Sequence, residues 1–290
     1  MSYLQISLFK YAIKKAFFFI AFSAISVAGF SQSAANNDST LRIDKQYLKS
    51  YWTDFKGVVI SPLHWSKGEA FAAGGVLASA AILYSQDKQI AEFFQRNRTQ
   101  NLDNLDKYFF DPFGKMYYTA AFMGSFYLYG VMSKKNKPKA VAMDFVKASL
   151  YSAIIVSVIK NVAHRSRPFQ TISLNPYIWD GPNSSNWSHN SFPSGHTIMS
   201  WTFASVLATH YQNKLWIPIT VYSLATMEGV ARMYINKHWS SDVMIASALG
   251  YAIGTYVVKH QKYNLNIRPV IGNNYSGIGI DFCFGKPKSN

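Results

Sequence analysis

The chain is 290 residues long, 49% of them apolar, and its 29 Lys+Arg against 14 Asp+Glu give a net charge of +15. That length allows one large domain or two small ones, and the basic excess suits an anionic partner: nucleic acid, an acidic membrane surface or a phosphorylated substrate. The basic residues stand in short groups between apolar stretches, with no zinc-finger, RNP or basic-region pattern, which argues against nucleic acid; the single cysteine, Cys283, excludes an internal disulfide and a thiolate metal cluster.

Taken in order, residues 1–33 read as an export signal. Lys10, Lys14 and Lys15 make a positive start, Ala16–Phe30 an apolar run, and Gly29, Ser31 and Ser33 supply the small residues of a cleavage site. An uncleaved membrane anchor is the other reading of the same pattern. Residues 34–65 form an N-terminal extension with a polar leader and a short amphipathic stretch, Ile43–Phe55.

Six apolar segments follow: Ala70–Tyr84, Tyr117–Met132, Val141–Ile159, Thr197–Tyr211, Leu215–Val230 and Val243–Val258. Their lengths and their Ala, Leu and Met content predict helices, not strands. Between the first two lies a polar run, Ser85–Lys107, in which Asn97–Asn104 is too polar for a core element; a basic loop, Ser133–Lys139, follows the second. The expected fold is all-α, a six-helix bundle over residues 66–260. In the remaining tail, 261–290, the alternation of Tyr275–Phe284 after the turn signal Gly272-Asn273-Asn274 predicts a short β-hairpin.

The apolar runs are at or below the roughly 20 residues needed to span a bilayer, and some contain charges such as Lys147 and Glu228. A cleaved signal would leave the mature N-terminus outside, which six spans with the polar clusters outside do not allow. An uncleaved anchor would put the basic Ser133–Lys139 loop outside, against the positive-inside tendency. The expectation is an exported bundle, periplasmic or associated with a membrane surface, with six spanning helices as the alternative.

Three polar clusters sit at ends of these segments. In Lys160–Pro168 (KNVAHRSRP), Lys160 and Arg167 are seven positions apart, so both can project from one helical face before Pro168 ends the element. Two such cations can neutralise a dianionic phosphate. In Pro193–His196 (PSGH), Ser194 fits an N-cap and Gly195 lets a ligand approach the free N–H groups of the next helix. In Arg232–Asp242 (RMYINKHWSSD), His238 and Asp242 are four apart; a carboxylate on one ring nitrogen leaves the other as nucleophile or base. Singly, each has a structural reading: cations on a helix dipole, an ordinary cap, a surface His–Asp pair.

Together and in this order, K-x6-RP, PSGH and R-x5-H-x3-D resemble the signature of the type 2 phosphatidic acid phosphatase superfamily, which includes lipid phosphate phosphatases, class A acid phosphatases and vanadium haloperoxidases. The resemblance covers roughly residues 66–259 and leaves 86–116 and 262–290 uncovered. One departure is Ala231 before Arg232, where the family usually has Ser. The resemblance implies His238 as the nucleophile that becomes phosphohistidine, with Asp242 holding its ring. It implies His196 as proton donor to the leaving oxygen, and Lys160, Arg167, Arg232, Ser194 and the Gly195 amide as phosphate-binding groups. It implies no metal and no other cofactor. Of the other histidines, His189 is a candidate for the site entrance, and His164, His64, His210 and His260 read as packing or helix-end residues. The aromatic loop Phe169–Phe192 is the candidate for substrate choice.

The function expected is a phosphatase acting outside the cytoplasm on a phosphomonoester or pyrophosphate, with a lipid phosphate as substrate. The alternatives are a nonspecific acid phosphatase on small soluble esters and a catalytically idle envelope protein.

Overall fold

A computed structural model describes residues 45–182, 184–260, 266–272 and 275–281. The export-signal segment 1–33 lies outside the described residues, as does most of the C-terminal tail. The described residues belong to one of the two units into which the chain divides, Asn36–Asn290.

Helix α1 (Lys45–Ile60) leads through a 3-10 turn into the long α2 (Lys67–Arg96). Ser66 starts α2 with a capping box: its hydroxyl accepts the Glu69 N–H while the Glu69 carboxylate accepts the Ser66 N–H at 2.8 Å. A short α3 (Gln100–Leu105), one π-helical turn (Asp106–Phe110) and the single turn α4 (Asp111–Gly114) then wind back before α5 (Met116–Met132). The remaining bundle helices are α6 (Asn136–Ala163), α7 (Gly195–His210), α8 (Trp216–Tyr234) and α9 (Ser240–His260). Each of the six apolar segments therefore lies within or largely overlaps its own helix, α2 and α5 to α9. The tail carries the expected antiparallel hairpin, β1 (Asn266–Gly272) with β2 (Tyr275–Asp281), in the register Asn266 to Asp281 through Gly272 to Tyr275.

Two sequence-based boundaries move. The apolar runs underestimate helix length, because polar residues at their ends keep helical geometry once packing supports them. As a result α2, α6 and α9, at 30, 28 and 21 residues, are each long and apolar enough to cross a membrane. In the other direction, α6 stops at Ala163, well before Pro168. His164 adopts a left-handed conformation (φ 43°) and its N–H closes on the Lys160 carbonyl at 3.0 Å. Lys160 is therefore in the last turn of a helix, and Arg167 lies beyond it on a loop.

Helix α7 is the centre of the bundle, with α6, α8 and α9 packed around it and α2 against α9. Phe145, Tyr151, Ile198, Phe203, Val206, Ala225, Ile253 and Val257 fill the space between them. Gly250 and Gly254 let α9 approach α7 at backbone range: a Cβ on Gly250 would stand 2.5 Å from the Ile198 carbonyl oxygen, and one on Gly254 2.9 Å from that of Thr202. Buried polar groups pin the outer helices. Lys147 Nζ reaches Asp54 Oδ2 at 2.7 Å and Ser50 at 2.6 Å, fastening α1 to α6, and His210 meets Asp144 at 2.8 Å.

The α7–α9 contact generates a testable contrast. Gly250→Ala should lower unfolding stability by about 1–3 kcal/mol through overpacking. Gly74→Ala, on α2 with nothing within 4 Å, should be neutral or gain up to about 1 kcal/mol from helix propensity. Thermal unfolding of both variants in detergent checks it; equal effects would contradict the close packing.

Candidate active site

His238 lies in the turn between α8 and α9 and is almost fully buried. Its Nδ1 is 2.8 Å from the Ser191 main-chain carbonyl and 3.8 Å from Asp242 Oδ2. A carbonyl only accepts, so Nδ1 carries the proton and the lone pair is on Nε2. The sequence placed Asp242 directly on this ring; instead the carbonyl of Ser191 is the hydrogen-bond partner. The four-residue spacing does not make a helical pair, because α9 begins only at Ser240.

Asp242 is nonetheless the hub behind the ring. One oxygen accepts from Ser191 Oγ at 2.5 Å and from the Trp239 N–H at 3.0 Å; the other takes Arg165 Nη1 at 2.5 Å. The Asp242 carbonyl also receives the Ser194 N–H at 3.4 Å, joining the start of α9 to the start of α7. Burial, with Lys160 and Arg167 adding to it, lowers the His238 pKa to about 3 despite the nearby Asp242. The ring is therefore neutral, with an available lone pair, at ordinary pH.

Lys160 and Arg167 converge on one residue of the loop. Lys160 Nζ donates to the Asn190 main-chain carbonyl and Arg167 Nε to its side-chain oxygen at 2.9 Å. A Cβ on Gly195 would meet Lys160 Cε at 4.0 Å, so the first turn of α7 stands beside the lysine. Ser194 caps that turn, its hydroxyl accepting from Thr197 N–H and Oγ1 at 3.4 and 2.9 Å. The cap leaves the first N–H groups of α7 for a ligand.

Arg232 and His196 form the other half. The guanidinium is ringed by carboxylates: Glu228 Oε1 at 3.1 Å from Nε, Asp111 Oδ1 at 2.9 Å from Nη1, and Asp106 on Nη2. Hydrogen bonds to Asp111 and Asp106 take two of its five N–H groups, while Nε, close to Glu228, makes none to a described residue. Asp111 Oδ1 is also 3.4 Å from His196 Nε2, an atom shielded from solvent that makes no hydrogen bond to a described residue. Burial opposes ionisation of Asp111, but hydrogen bonds from Lys115 and Arg232 hold its carboxyl below the usual range. Burial first, then Arg232, lowers the His196 pKa to about 4.

All the site residues expected from sequence are thus drawn to the ends of α6, α7, α8 and α9, with the loop 164–193 between them. The groups that sequence reasoning missed are their partners: Arg165, Asp87, Ser191, Asn190, Asp106, Asp111 and Glu228. Asp106 and Asp111 come from the stretch 86–116, outside the three motifs. His189 pairs with Asp180 at 2.7 Å on the loop. His164 is buried against Trp187 with Nδ1 on the Gly181 carbonyl at 3.0 Å. Two cations, a helix N-terminus, a neutral imidazole and a second imidazole beside an Arg–Asp pair can hold a tetrahedral anion and move a proton.

Several known proteins share part of this chain's sequence or fold. Residues 141–266 match the family model of the PAP2 superfamily. A lipid A 1-phosphatase of Porphyromonas gingivalis is 35% identical over 66 residues, which are 22% of this chain and 15% of that protein. The crystal structure of LpxE from Aquifex aeolicus aligns with a TM-score of 0.45 and 21% identity, covering 60% of this chain and 95% of that one. That of a transmembrane PAP2-type phosphatidylglycerolphosphate phosphatase from Bacillus subtilis aligns with a TM-score of 0.47 and 18% identity, covering 65% and 97%.

The low His196 pKa generates a prediction with a definite sign. Tungstate is a tetrahedral dianion whose charge is constant from about pH 6 to 9. Bound here, it offsets the repulsion from Arg232 and raises the His196 pKa above the free value of about 4. Because the bound value is the higher, binding takes up a proton, is strongest below the bound pKa and weakens as pH rises through it. Calorimetry at about pH 6, where the site's lysine is already charged before binding, in buffers of different ionisation enthalpy should show that uptake in the wild type and not in His196→Asn; uptake unchanged in the variant would count against the assignment.

Proposed function

We propose, from the match of residues 141–266 to the PAP2 superfamily model, that this protein is a membrane-bound phosphatase that removes phosphate from a lipid through a phosphohistidine intermediate. The observation that carries the reading is the His238 ring: neutral, proton-bearing at Nδ1 on the Ser191 carbonyl, under the electrostatic influence of Lys160 and Arg167. His238 Nε2 attacks phosphorus in line with the ester oxygen. The P–O bond breaks as the N–P bond forms, and the leaving oxygen takes the proton that His196 acquires with the bound phosphate. Lys160, Arg167, the remaining N–H groups of Arg232 and the capped first turn of α7 with Ser194 and Gly195 hold the equatorial oxygens. A water deprotonated by His196 then attacks phosphorus, the N–P bond breaks and phosphate leaves. Cationic side chains occupy the role that magnesium plays in kinases, so the reaction is written without a metal.

Two features support a lipid substrate. Phe169, Ile172, Tyr177 and Trp187 are exposed on the loop that supplies Asn190 and Ser191, where they suit an acyl or prenyl chain. Three helices are long and apolar enough to cross a bilayer, and Phe71, Leu77 and Ile82 of α2, with Val146, Leu150 and Val158 of α6, face outward. The P. gingivalis relative is named for lipid A 1-phosphate; phosphatidate, phosphatidylglycerophosphate and undecaprenyl pyrophosphate carry the same phosphoryl chemistry.

The charge at the two ends of α6 supports an active site outside the cytoplasm. The basic group Lys134, Lys135, Lys137 and Lys139 is at its start, and Lys160 is in its last turn. From Lys137 to Lys160 the helix rises roughly 35 Å at 1.5 Å per residue, more than the roughly 30 Å hydrocarbon core. A cytoplasmic basic loop, as the positive-inside tendency favours, then puts Lys160 on the opposite side.

Purified protein should release phosphate from micellar phosphatidate or lipid A 1-phosphate faster than from p-nitrophenyl phosphate, and EDTA should not slow it. His238→Ala should cost roughly 10⁴-fold or more in kcat, and no acid-labile phosphoenzyme should be trapped. A phosphoenzyme formed by that variant would falsify the nucleophile assignment, and preference for the soluble ester would select the acid-phosphatase alternative. For topology, after Cys283→Ser, an Asn175→Cys variant should react with a membrane-impermeant maleimide on intact cells while Lys137→Cys should not; the reverse pattern would place the site inside.

A further inference from the structure

The first motif contains a third cation that neither the anion site nor the proposed reaction uses. Arg165 is two positions before Arg167, yet its side chain is fully enclosed. Its donors are all spent on protein groups. Nε and Nη2 reach the Pro176 carbonyl at 3.2 and 3.0 Å, Nη2 also reaches Asp87 Oδ2 at 2.7 Å, and Nη1 reaches Ser241 Oγ at 2.8 Å and Asp242 Oδ1 at 2.5 Å. The rings of Tyr84, Trp179 and Trp239 lie 5.0, 4.8 and 5.4 Å from the guanidinium carbon. No N–H is left for a substrate, so Arg165 does not act on phosphate.

Its partners are the groups behind the nucleophile. The Arg165 main-chain carbonyl accepts the Ser191 N–H at 2.9 Å while its side chain holds Asp242. Ser191 in turn joins the two, its hydroxyl on Asp242 at 2.5 Å and its carbonyl on His238 Nδ1 at 2.8 Å. Asp87 anchors the far side. It accepts Ser240 Oγ at 2.6 Å, Ser241 Oγ at 2.6 Å and the Ser241 N–H at 3.0 Å, so a carboxylate from α2 caps the start of α9.

We infer that Arg165, with Asp87, is a positioning residue of the proposed phosphatase: it clamps Asp242 and Ser191 so that the Ser191 carbonyl holds His238 with its proton on Nδ1 and its lone pair on Nε2. A buried Arg between two buried carboxylates is a poor source of net stability, since desolvation of the three charges offsets most of their attraction. What it supplies is registry among α2, the loop and α9. Without Arg165, Asp242 and the loop bearing Ser191 lose the tie that holds the Ser191 carbonyl on Nδ1, and a ring turned off that acceptor no longer has its proton fixed on one nitrogen. Lys160 of α6, Arg167 of the loop and Asp242 of α9 are the charged groups acting on His238, and only Asp242 is held by Arg165.

The inference rests on the proposed reaction, but its test has a readout that does not. In full-length protein in detergent, with ¹⁵N-labelled histidine, the wild type should show His238 at pH 7 as one tautomer protonated at Nδ1. The double variant Asp87→Asn/Arg165→Met removes the clamp without changing the net charge of the pair. It should still bind tungstate, because Lys160 and Arg167 remain, but show a mixture of His238 tautomers. It should lose about 10²-fold in kcat, the scale of a displaced reacting group, with KM nearly unchanged. Arg165→Lys keeps a charge between the carboxylates without the fork and should fall between wild type and double variant in both readouts; it carries the test alone if the double variant does not fold. A single Nδ1-protonated tautomer with kcat within a few-fold of wild type, in whichever variant folds, overturns the inference. A tautomer change in a protein whose wild type hydrolyses no phosphate ester would leave the clamp standing and remove the phosphatase reading.

Discussion

The structure depends on one buried carboxylate. Asp242 is fully enclosed at the first turn of α9, and it accepts from Arg165, Ser191 Oγ and the Trp239 N–H. An isolated charge there would be prohibitively costly, so each of its partners has to be in place. Those partners come from the loop after α6 and from the turn before α9. Satisfying one carboxylate therefore brings together the segments that carry His238, Ser191 and Lys160. Asp87 repeats the arrangement one layer deeper, tying α2 to the same helix start.

A second constraint is the surplus of cations. Lys160 and Arg167 converge on Asn190 and Arg232 is buried, and such cations are costly unless something answers them. The two halves are answered differently. Lys160 and Arg167 share the neutral oxygens of Asn190 and remain uncompensated by carboxylate hydrogen bonds, which leaves them ready for an anion. Arg232 is paired with Asp106, Asp111 and Glu228. The Arg232–Asp111 pair reaches His196 and gives that imidazole a carboxylate neighbour that favours its protonated state. Cations that look alike in sequence thus have different surroundings: neutral oxygens around Lys160 and Arg167, carboxylates around Arg232.

The bundle that holds these groups has an outside to match. The close approach of α9 to α7 at Gly250 and Gly254 concentrates packing at the centre. Large apolar side chains on α2, α5, α6 and α8 point outward, and hydrocarbon is the solvent that suits them. Meanwhile the three motif clusters stand at or beside helix ends, where the backbone itself supplies unpaired N–H groups.

Much of this was legible in the chain. Apolar segments of helical length marked the bundle helices, and the hairpin followed from alternation around a Gly-Asn-Asn turn. The motif residues stood out because three short clusters occur together in an order that resembles a known family, although each alone had a structural reading. Their partners were not. Asp87 is in a run that reads only as polar, and its partner Arg165 is 78 positions away; Asp106 and Arg232 are 126 apart. The exchange of Asp242 for the Ser191 carbonyl on His238 was hidden too, since a main-chain group has no signature in sequence. Local pattern determined which segments become helices and which polar clusters stand at their ends, because periodicity, capping and side-chain type act over a few residues. Which carboxylate answers which cation, and which atom holds the His238 ring, was decided only by the tertiary structure, because burying a charge forces a partner to be recruited from wherever in the chain the packing brings one.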